Sequence, residues 1–449
     1  MSSLLVRPQT EPLRGRITVP GDKSISHRAV MLAAVADGVS QVREWLPAGD
    51  TRATLQAMRQ MGVTIAVGER SAYAWDLEIT GRGLRGLQQP AAPINCANAG
   101  TCLRLLAGML AGQRFPSSLD GSEQLRRRPM RRIVAPLNEM GARIESEKGT
   151  APLHIRPGEL RGMTYELPIA SAQVKSALLL AGLYARGRTE LHEPGPARDH
   201  TERMLQAMGV AVEVHGRRIA LTGLGDSGAL APLHLTVPGD ISSAAFPLVA
   251  AALIPGSQVT VEGVGVNGTR LGLVDLLEAM GADLTLSLRD RVGGEPVGDL
   301  AVPGGALRGA HAAGDVVVRA IDELPLWAVA ASQAHGASTL RDAAELRVKE
   351  VDRIGALLGE LGRLGVGRGD GGRLEERRDG FTLAGPFRLR GAEVDSHGDH
   401  RLAMALAIAG LFATGPTLVR NAGCIADSFP GFVETMRELG ARMEWSTGS

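Results

Sequence analysis

The 449-residue sequence has few aromatic residues, few cysteines and almost no net charge, and each shortage argues against a class of protein. Phe, Trp and Tyr make up 3% of the chain, too few for the aromatic surfaces on which single-stranded nucleic acid stacks. A formal net charge of +1 provides no overall field to attract nucleic acid or a membrane. The three cysteines lack metal-ligand spacing and are too few for a disulfide framework.

Long apolar runs are missing as well. None reaches the roughly 18 residues that a membrane-spanning helix needs, and the 244–254 run is interrupted by Pro247. The residues before Val19 resemble neither a signal peptide nor a typical transit peptide, so we expect a cytoplasmic enzyme. The sequence also lacks a P-loop, an HExxH pattern and a glycine-rich dinucleotide fingerprint after a strand.

Glycine, in contrast, is abundant and recurs in a regular pattern. Six helix-like stretches end in Met or Leu, then Gly, then Ala or Val, at intervals of 68 to 84 residues. These glycines, which fit left-handed helix C-caps, are Gly62, Gly141, Gly209, Gly281, Gly365 and Gly440. A second series, 22 to 29 residues upstream, comprises Gly38, Gly112, Gly187, Gly256, Gly336 and Gly415. The two series predict six units of strand–helix–strand–helix–strand, with room for one more strand.

A higher-order duplication lies above these units. The sequence Val19-Pro20-Gly21-Asp22 reappears as Val237-Pro238-Gly239-Asp240, and an apolar helix is expected after each copy. Six glycine pairs in phase with this duplication make a chance match improbable. The sequence therefore predicts two globular α/β domains of three units, with a ligand site in the cleft between them.

The stretch Gly21–Arg28 joins a short strand to an apolar helix, predicted at 29–36. Lys23, Ser24 and Arg28 crowd the start of this helix, where unpaired N–H groups and the helix dipole favour an anion. The stretch is interpreted as a phosphate or carboxylate site. An ordinary Ser-capped helix with two solvated cations is an equally good interpretation of this stretch alone.

Arginine, lysine and small hydroxyl residues recur before the other predicted helices. Helix capping explains the small polar residues, among them Asp50, Ser242, Ser243 and Ser428. It does not explain the cations, which the dipole disfavours at a helix N-terminus, so an anionic partner is expected for them. The basic run 126–132 is either part of this pattern, a solvated face or, less favoured by the neutral balance, a nucleic-acid patch.

Taken in order, these motifs resemble those of the 5-enolpyruvylshikimate-3-phosphate synthases (3-phosphoshikimate 1-carboxyvinyltransferases) along the whole chain. The motifs that carry the resemblance are Gly21-Asp22-Lys23-Ser24-Ile25-Ser26-His27-Arg28, Asn98-Ala99-Gly100-Thr101 with Arg104, Arg128-Pro129-Met130, Ser171-Ala172-Gln173-Val174-Lys175-Ser176, Arg198-Asp199-His200-Thr201-Glu202, Glu345-Leu346-Arg347-Val348-Lys349-Glu350 with Asp352-Arg353, and Asp399-His400-Arg401.

The resemblance implies an α/β fold of two similar domains, each of three βαβαββ units, with the active site in the interdomain cleft. Residues 1–20 and 238–449 would form one domain, and residues 21–237 the other. The implied reaction transfers enolpyruvyl from phosphoenolpyruvate to the 5-hydroxyl of shikimate 3-phosphate and releases phosphate. It implies these two small substrates as partners, no metal or organic cofactor, and a monomer that binds neither nucleic acid nor membrane.

The resemblance also implies roles for individual residues. Three would carry proton transfers, namely Lys23, Asp322 and Glu350. Those expected to bind shikimate 3-phosphate are Lys23, Ser24, Arg28, Ser171, Ala172, Gln173, Arg198, Asp322 and Lys349. Those expected around phosphoenolpyruvate are Lys23, Gly100, Thr101, Arg128, Gln173, Arg353 and Arg401. The division of proton transfers among the three catalytic residues stays open, and a helix cap is the alternative for Asp322.

Three positions depart from patterns seen in relatives. Ala172 stands where many relatives carry a second serine, and Arg198 is expected to compensate for the lost hydroxyl. Asp427 stands near the place where some relatives carry a phosphoenolpyruvate-binding lysine, so another cation is needed there. Gly100 is Ala in some herbicide-tolerant relatives, and the hypothesis is that Gly100 leaves this protein sensitive to glyphosate.

Two alternatives remain at this stage. A UDP-N-acetylglucosamine 1-carboxyvinyltransferase would share the fold and the donor, but that family usually carries Lys-Asn and a loop cysteine where this chain has Lys23-Ser24 and the Cys-free stretch 126–130. Cys96 and Cys102 are expected to be buried small residues. The other alternative is a non-catalytic anion- or nucleic-acid-binding protein on the same scaffold, against which the set Lys23, Asp322 and Glu350 argues.

Overall fold

The computed structural model describes residues 2–226, 228–367 and 372–446. Contacts within the chain divide it into two compact units. The 238–449 unit also contains residues 1–20 and omits 291–295; the 21–237 unit contains those five residues in addition to its own. The predicted boundaries therefore differ from this division at 291–295.

Fourteen α-helices occur in the described residues: α1 Lys23–Ala34, α2 Gly49–Gln60, α3 Gly100–Ala111, α4 Glu123–Arg126, α5 Arg131–Glu139, α6 Ala172–Gly182, α7 His200–Ala207, α8 Ile241–Leu253, α9 Gly272–Ala279, α10 Asp315–Ala320, α11 Leu324–Gln333, α12 Arg353–Arg363, α13 His400–Leu411 and α14 Phe432–Glu438. Two 3₁₀ helices span Ala344–Val348 and Ala422–Asp427.

The strands in the same described ranges are β1 Ser3–Val6, β2 Arg14–Thr18, β3 Val39–Trp45, β4 Thr64–Ser71, β5 Ala74–Thr80, β6 Ile94–Asn95, β7 Ser117–Asp120, β8 Arg143–Ser146, β9 Leu153–Arg156, β10 Thr164–Glu166, β11 Arg188–His192, β12 Val212–His215, β13 Arg218–Thr222, β14 His234–Thr236, β15 Gln258–Gly265, β16 Thr285–Val292, β17 Glu295–Pro303, β18 His311–Ala312, β19 Gly336–Leu340, β20 Arg373–Arg377, β21 Gly380–Gly385, β22 Glu393–Asp395, β23 Thr417–Arg420 and β24 Met443–Ser446.

The strands form six mixed sheets of four strands with one shared arrangement. A parallel pair is followed by two antiparallel neighbours, as in β6-β7-β9-β8, where β6 and β7 are parallel. The other five orders are β14-β3-β5-β4, β10-β11-β13-β12, β16-β17-β15-β2, β18-β19-β21-β20 and β22-β23-β1-β24. A helix links the strands of each parallel pair in the regular units, because parallel strands need a crossover connection. The predicted α/β fold of six βαβαββ units is thus confirmed.

Two sheets take their first parallel strand from elsewhere in the sequence. Strand β2 leads directly into α1 but pairs with β15, in register from Arg14 with Gln258. Strand β14 leads into α8 but pairs with β3, in register from His234 with Gln41. Each copy of the Val-Pro-Gly-Asp motif therefore lies where the chain passes from one unit to the other.

Each unit has its own hydrophobic core, in which the apolar helices of the three repeats are buried: α1, α3 and α6 in one unit, and α8, α11 and α13 in the other. Helices α3 and α6 run in the same direction at very close range. A Cβ atom added at Gly108 would lie 2.1 Å from the carbonyl oxygen of Ala177, so only glycine fits there. The shared direction brings the N-terminal residues Thr101 and Gln173 into contact.

The helix-terminal glycines behave as predicted. All six glycines of the Met/Leu-Gly series have a positive φ, between 81° at Gly62 and 103° at Gly365. Glycine adopts this left-handed conformation without the steric cost of a Cβ atom, so it ends each helix and redirects the chain. Cys96 and Cys102 are fully buried, as expected.

Two local predictions are wrong. Helix α1 begins at Lys23 rather than at residue 29, because the side chain of Asp22 accepts the Ile25 N–H at 2.9 Å and caps it there. The four small polar residues assigned as helix N-caps are not N-caps: Ala48 occupies that position in α2 and Asp240 in α8, and Ser428 is instead the C-cap of a 3₁₀ helix. The polar side chains Asp50 and Ser242 have other partners, described below.

Candidate active site

In the 21–237 unit, the first turn of α1 presents Lys23, whose ammonium lies 3.0 Å from the carboxylate of Asp50 in α2. Both side chains are largely buried, so the ion pair holds the lysine in one place. Asp50 is thus a carboxylate partner of Lys23, a contact not predicted from the sequence, where Asp50 was interpreted as a helix cap.

One turn further along α1, the guanidinium of Arg28 is enclosed by polar groups. Its Nε donates to Thr201 Oγ1 at 2.7 Å, its Nη2 to Ser176 Oγ at 2.8 Å, and its Nη1 to the Ser24 carbonyl. Burial lowers the pKa of Arg28 to about 10, which leaves it charged at neutral pH. Arg198 donates to the hydroxyl of Ser24 at 3.2 Å, so three of the predicted residues meet here.

A second group of predicted residues surrounds the start of α3. The side chain of Gln173 donates to Thr101 Oγ1 at 2.9 Å and accepts from Arg104 Nη1 at 2.5 Å. A Cβ atom at Gly100 would lie 2.8 Å from Nη1 of Arg128, which places that guanidinium against the glycine. Arg104 is fully buried and was given no role from the sequence. Its position one helical turn after Gly100 could have indicated that it lies beside the same group.

Two more predicted residues lie at the start of α6. The side chain of Ser171 is the N-cap of α6 and accepts the Val174 N–H at 3.4 Å. Ala172 is the first residue of the helix.

The cations of the basic run 126–132 differ in exposure. Arg128 is buried, whereas Arg126 and Arg127 are exposed and pair with Asp120 and Glu123. Exposed ion pairs of this kind suit a solvated face for those two arginines.

In the 238–449 unit, Arg353 at the start of α12 is the centre of the predicted set. Its Nε lies 2.8 Å from Asp399, its Nη2 2.7 Å from Glu350 and its Nη1 3.4 Å from Asp322. Burial opposes the charge, but the three carboxylates outweigh it and raise the pKa of Arg353. Asp399 also caps α13 by accepting the Arg401 N–H at 2.8 Å, which fixes the backbone of Arg401 beside the network.

Asp322 lies between two cations, Arg353 and Lys349, whose ammonium is 3.7 Å from Oδ1 of Asp322. Burial lowers the pKa of Lys349, against the opposing charge of Asp322. The helix-cap alternative for Asp322 is wrong, because Glu323 occupies the N-cap position of α11. The structure thus brings Asp322, Lys349, Glu350 and Arg353 together.

The second copy of the duplicated motif is organised differently. Its cation, Arg270, is buried against Asp240 at 3.2 Å and donates to Ser242 Oγ at 2.6 Å, and Glu323 lies 3.8 Å away. Ser242 in turn hydrogen-bonds to Glu323. The anionic partner expected for such a cation is provided for Arg270 by carboxylates of the protein itself.

Behind Arg28, helix α6 contributes a buried lysine, Lys175. Its ammonium lies 2.7 Å from Glu202 and 3.0 Å from Glu193, and it donates to the carbonyl of Ala197 at 3.2 Å. Burial opposes its charge, but Glu202 and Glu193 raise its pKa. Burial raises the pKa of Glu193 to about 7, against the opposing charge of Lys175. Lys175 and Glu202 occur in two of the motifs quoted above, but their contact with each other and with Glu193 was not predicted.

The pKa of Glu193 gives the stability of the protein a pH dependence. A carboxyl whose folded-state pKa is about 7, against an ordinary 4.5, stabilises the fold fully below about pH 4.5 and loses that contribution as pH rises through about 7. We expect wild type to lose up to about 3 kcal/mol relative to Glu193→Gln across that interval in urea unfolding.

The exposed Glu213 is the control for this prediction. A hydrogen bond from Arg188 lowers the pKa of Glu213, so Glu213→Gln should alter the pH dependence only in the acidic range. If the free energy of unfolding changed equally with pH in wild type and in Glu193→Gln between pH 4.5 and 8, the raised pKa of Glu193 would be contradicted.

Among the described residues, one group of side chains that commonly bind metal ions lies close enough together to share an ion: Asp199, His200 and Glu295. His200 Nδ1 already lies 2.7 Å from Glu295, and the guanidinium of Arg203 lies 2.8 Å from Asp199. A fixed cation beside the carboxylate disfavours a metal ion there. Among the helices of the described ranges, none combines the length and apolar character that crossing a membrane requires.

Comparison with known proteins decides the family. The family model described as EPSP synthase (3-phosphoshikimate 1-carboxyvinyltransferase) matches residues 8–436. The chain belongs to the EPSP synthase family. The 3-phosphoshikimate 1-carboxyvinyltransferase of Acidithiobacillus ferrooxidans is 49% identical over 444 residues and covers 99% of both chains. The enzyme of that name from Desulforamulus reducens is 45% identical over 438 residues, 97% of this chain and 99% of its own.

Solved structures agree with this membership in the EPSP synthase family. The EPSP synthase of Acinetobacter baumannii is 42% identical, covers all of both chains and superposes with a TM-score of 0.86. The enolpyruvyl transferase NikO of Streptomyces tendae shares the fold at a TM-score of 0.80 with 18% identity over the full length of both chains. The relatives' names do not favour the UDP-N-acetylglucosamine alternative, and they identify the family as transferases rather than binding proteins.

Proposed function

We propose that the protein transfers the enolpyruvyl group of phosphoenolpyruvate to the 5-hydroxyl of shikimate 3-phosphate and releases phosphate. The observation that carries the proposal is the set of catalytic-type residues joined by Arg353, in which Asp322 and Glu350 are held at fixed places by one guanidinium. Carboxylates beside a cation weaken its attraction for an anionic ligand, so anion binding alone does not favour two of them at this place. Proton transfer in two directions, in contrast, needs such groups.

The anionic substrates would account for the buried arginines of the 21–237 unit, whereas the buried Lys175 is balanced by protein carboxylates. Ser24, Arg28 and Arg198 form one connected set and would bind the phosphate of shikimate 3-phosphate, together with Ser171 and Gln173. Charge-assisted hydrogen bonds from guanidinium groups are strong and well oriented for phosphate. Arg198 would supply the donors that replace the hydroxyl missing at Ala172, and Lys349 would add a further contact.

Phosphoenolpyruvate would be bound by a second set of groups. Arg128 lies against Gly100 at the N-terminus of α3, where helix N–H groups favour an anion. Lys23, Thr101, Gln173, Arg353 and Arg401 complete the proposed set. Arg104, which donates to Gln173, adds a buried positive charge to this set and is our candidate for the cation that replaces the lysine lost at Asp427.

The proposed chemistry is addition followed by elimination. A base removes the proton of the 5-hydroxyl while an acid protonates the methylene carbon of phosphoenolpyruvate, and the oxygen bonds to the adjacent carbon. The methyl group so formed then loses a proton, and the carbon–oxygen bond to phosphate breaks. Asp322 is the proposed base for the hydroxyl, and Glu350 and Lys23 are the proposed groups at the methylene carbon.

The remaining expectations are proposals of the same kind. The two units are proposed to act as the two domains of one enzyme, with residues 21–237 binding mainly anions and residues 238–449 supplying both carboxylates. The enzyme is proposed to work as a cytoplasmic monomer with its two small substrates as partners, without nucleic acid or membrane. Size-exclusion chromatography with light scattering checks the monomer.

The assay that tests the reaction measures phosphate release from phosphoenolpyruvate with each of two acceptors. Release with shikimate 3-phosphate and none with UDP-N-acetylglucosamine is the expected result. Release with the sugar nucleotide alone would show that shikimate 3-phosphate is not the acceptor. Binding of both substrates without release in either reaction would contradict an enzymatic role.

Gly100 provides a prediction for the phosphoenolpyruvate side. A Cβ atom there would lie 2.9 Å from Cζ of Arg128 and 3.0 Å from Nη1 of Arg104, so the methyl of Gly100→Ala must displace a guanidinium. We expect KM for phosphoenolpyruvate to rise about tenfold, a loss of about 1.4 kcal/mol in binding. Inhibition by glyphosate should weaken more than substrate binding does, and KM for shikimate 3-phosphate should hold. A wild type already tolerant of glyphosate would refute the hypothesis for Gly100.

A further inference from the structure

We infer that Lys175 is a positioning residue for the binding of shikimate 3-phosphate: it holds the chain segment 193–202 so that Arg198 stays against Ser24. The inference rests on the proposed function. It concerns a residue that is fully buried inside the 21–237 unit and whose ammonium is occupied by protein groups. Lys175 therefore acts on substrate through other residues.

All three identified partners of the Lys175 ammonium belong to one segment of chain. Glu193 lies at the beginning of this segment, Ala197 in its middle and Glu202 at its end. The carbonyl that accepts from Lys175 is that of Ala197, and its carbon is bonded to the backbone nitrogen of Arg198. A displacement of this carbonyl therefore moves the residue that would contact the substrate phosphate.

The segment has little regular structure of its own. Its first seven residues, 193–199, lie between the end of β11 at His192 and the start of α7 at His200, and they include Pro194, Gly195 and Pro196. Its position must therefore be set by contacts with neighbouring elements. Arg217 bonds the backbone of the first two residues, and Lys175 of helix α6 holds the middle of the segment at the residue before Arg198.

The next residue of α6 reinforces the same connection. Ser176 Oγ lies 2.7 Å from Thr201 Oγ1 and accepts from Arg28 Nη2. Thr201 also accepts from Arg28 Nε, so α6, α1 and the start of α7 are joined by one set of hydrogen bonds. The N-terminal end of α6 carries two residues of the proposed site, the N-cap Ser171 and Gln173, so the helix connects the segment to other residues of the same site.

Burying an ammonium and two carboxylates is costly, and such clusters contribute little to net stability compared with apolar packing. Their attested use is to fix one arrangement among several. Here the cluster fixes the position of Arg198, the residue expected to compensate for Ala172. Lys175 is thus a determinant of affinity for the phosphorylated acceptor rather than for phosphoenolpyruvate.

The test is a double-mutant cycle on the full-length enzyme with Lys175→Met and Arg198→Met. Each single variant is expected to raise KM for shikimate 3-phosphate about tenfold or more. The kcat and KM for phosphoenolpyruvate should change less than about threefold. The double variant should be no worse than Arg198→Met alone, because Lys175 acts through Arg198 and residues that share one effect are not additive. Lys148→Met, at an exposed lysine of the same unit, is the matched control and should behave as wild type.

The outcomes separate the positioning role from both the proposed function and a purely structural one. Absence of wild-type turnover with shikimate 3-phosphate overturns the proposed function and this inference together. If wild-type turnover is normal but the effects of Lys175→Met and Arg198→Met on KM multiply in the double variant, only the role of Lys175 is overturned. The same follows if Lys175→Met changes kcat and both KM values by equal factors. If Lys175→Met does not fold, Glu193→Gln decides: it keeps the contacts with Ala197 and Glu202 and should raise KM for shikimate 3-phosphate selectively by a smaller factor, whereas an unchanged KM overturns the inference.

Discussion

Glu350→Gln should lower kcat by a factor of about 10² to 10⁴, the range that general acid–base catalysis contributes. Glutamine keeps the size and one acceptor oxygen of the side chain, and it can still accept from Arg353, whose Nη2 lies 2.7 Å from Glu350. It can neither take up nor deliver a proton at neutral pH. The loss should therefore appear in kcat, with a smaller change in KM for phosphoenolpyruvate.

The matched control is Glu393→Gln in the same unit. Glu393 is about half exposed and pairs with Arg420 on the surface, so its neutralisation should leave turnover unchanged. Steady-state kinetics with both substrates gives the comparison. A rise in KM for phosphoenolpyruvate at unchanged kcat would mean that Glu350 only orients Arg353 and transfers no proton.

Replacement of Arg353 by Met should have the largest effect on stability. Arg353 is buried among Asp322, Glu350 and Asp399, and its removal leaves three carboxylates near one another without their shared cation. Removing one partner of a buried ion pair costs about 3–5 kcal/mol. Urea unfolding should show this loss as a lower midpoint at similar slope.

Arg420→Met is the control, because Arg420 pairs with Glu393 at an exposed place and such pairs contribute about 0–1 kcal/mol. Arg353→Lys should be intermediate in stability, since it keeps a charge but cannot reach three carboxylates with one planar group. Equal stability of Arg353→Met and Arg420→Met would show that the carboxylates of this network find other partners or stay protonated.

Much of the fold was readable in the sequence because its repeat depends on local chemistry. The glycine at the end of each second helix is required by a left-handed backbone, so six copies such as Gly62 and Gly365 revealed six units. The start of α1 was misplaced because Asp22 was not recognised as its cap. The pairing of β2 with β15 joins residues about 240 positions apart, which no local pattern encodes.

The candidate site was predictable where residues occur in motifs, and less so where a contact is formed only in three dimensions. The predicted residues Asp322, Lys349, Glu350 and Arg353 lie together, and their roles stay proposals. Lys175 and the partners of Arg270 were missed because charged residues lie on the surface by default, and their burial depends on carboxylates from distant segments. Patterns of one residue class cannot reveal such pairings.

The pairing of β1 has a consequence for how the chain reaches its folded state during synthesis. Strand β1 lies between β23 and β24, with Leu4 opposite Val419 and Trp445. The first strand to be synthesised therefore cannot pair until the last two strands have been made. Residues 21–237, in contrast, contain every strand of their three sheets, and all of these strands have been made while 212 residues remain to be translated. Domains fold as units and early ones fold first during synthesis. The nascent chain is thus expected to carry the three complete sheets of residues 21–237 while its first twenty residues still lack their partner strands.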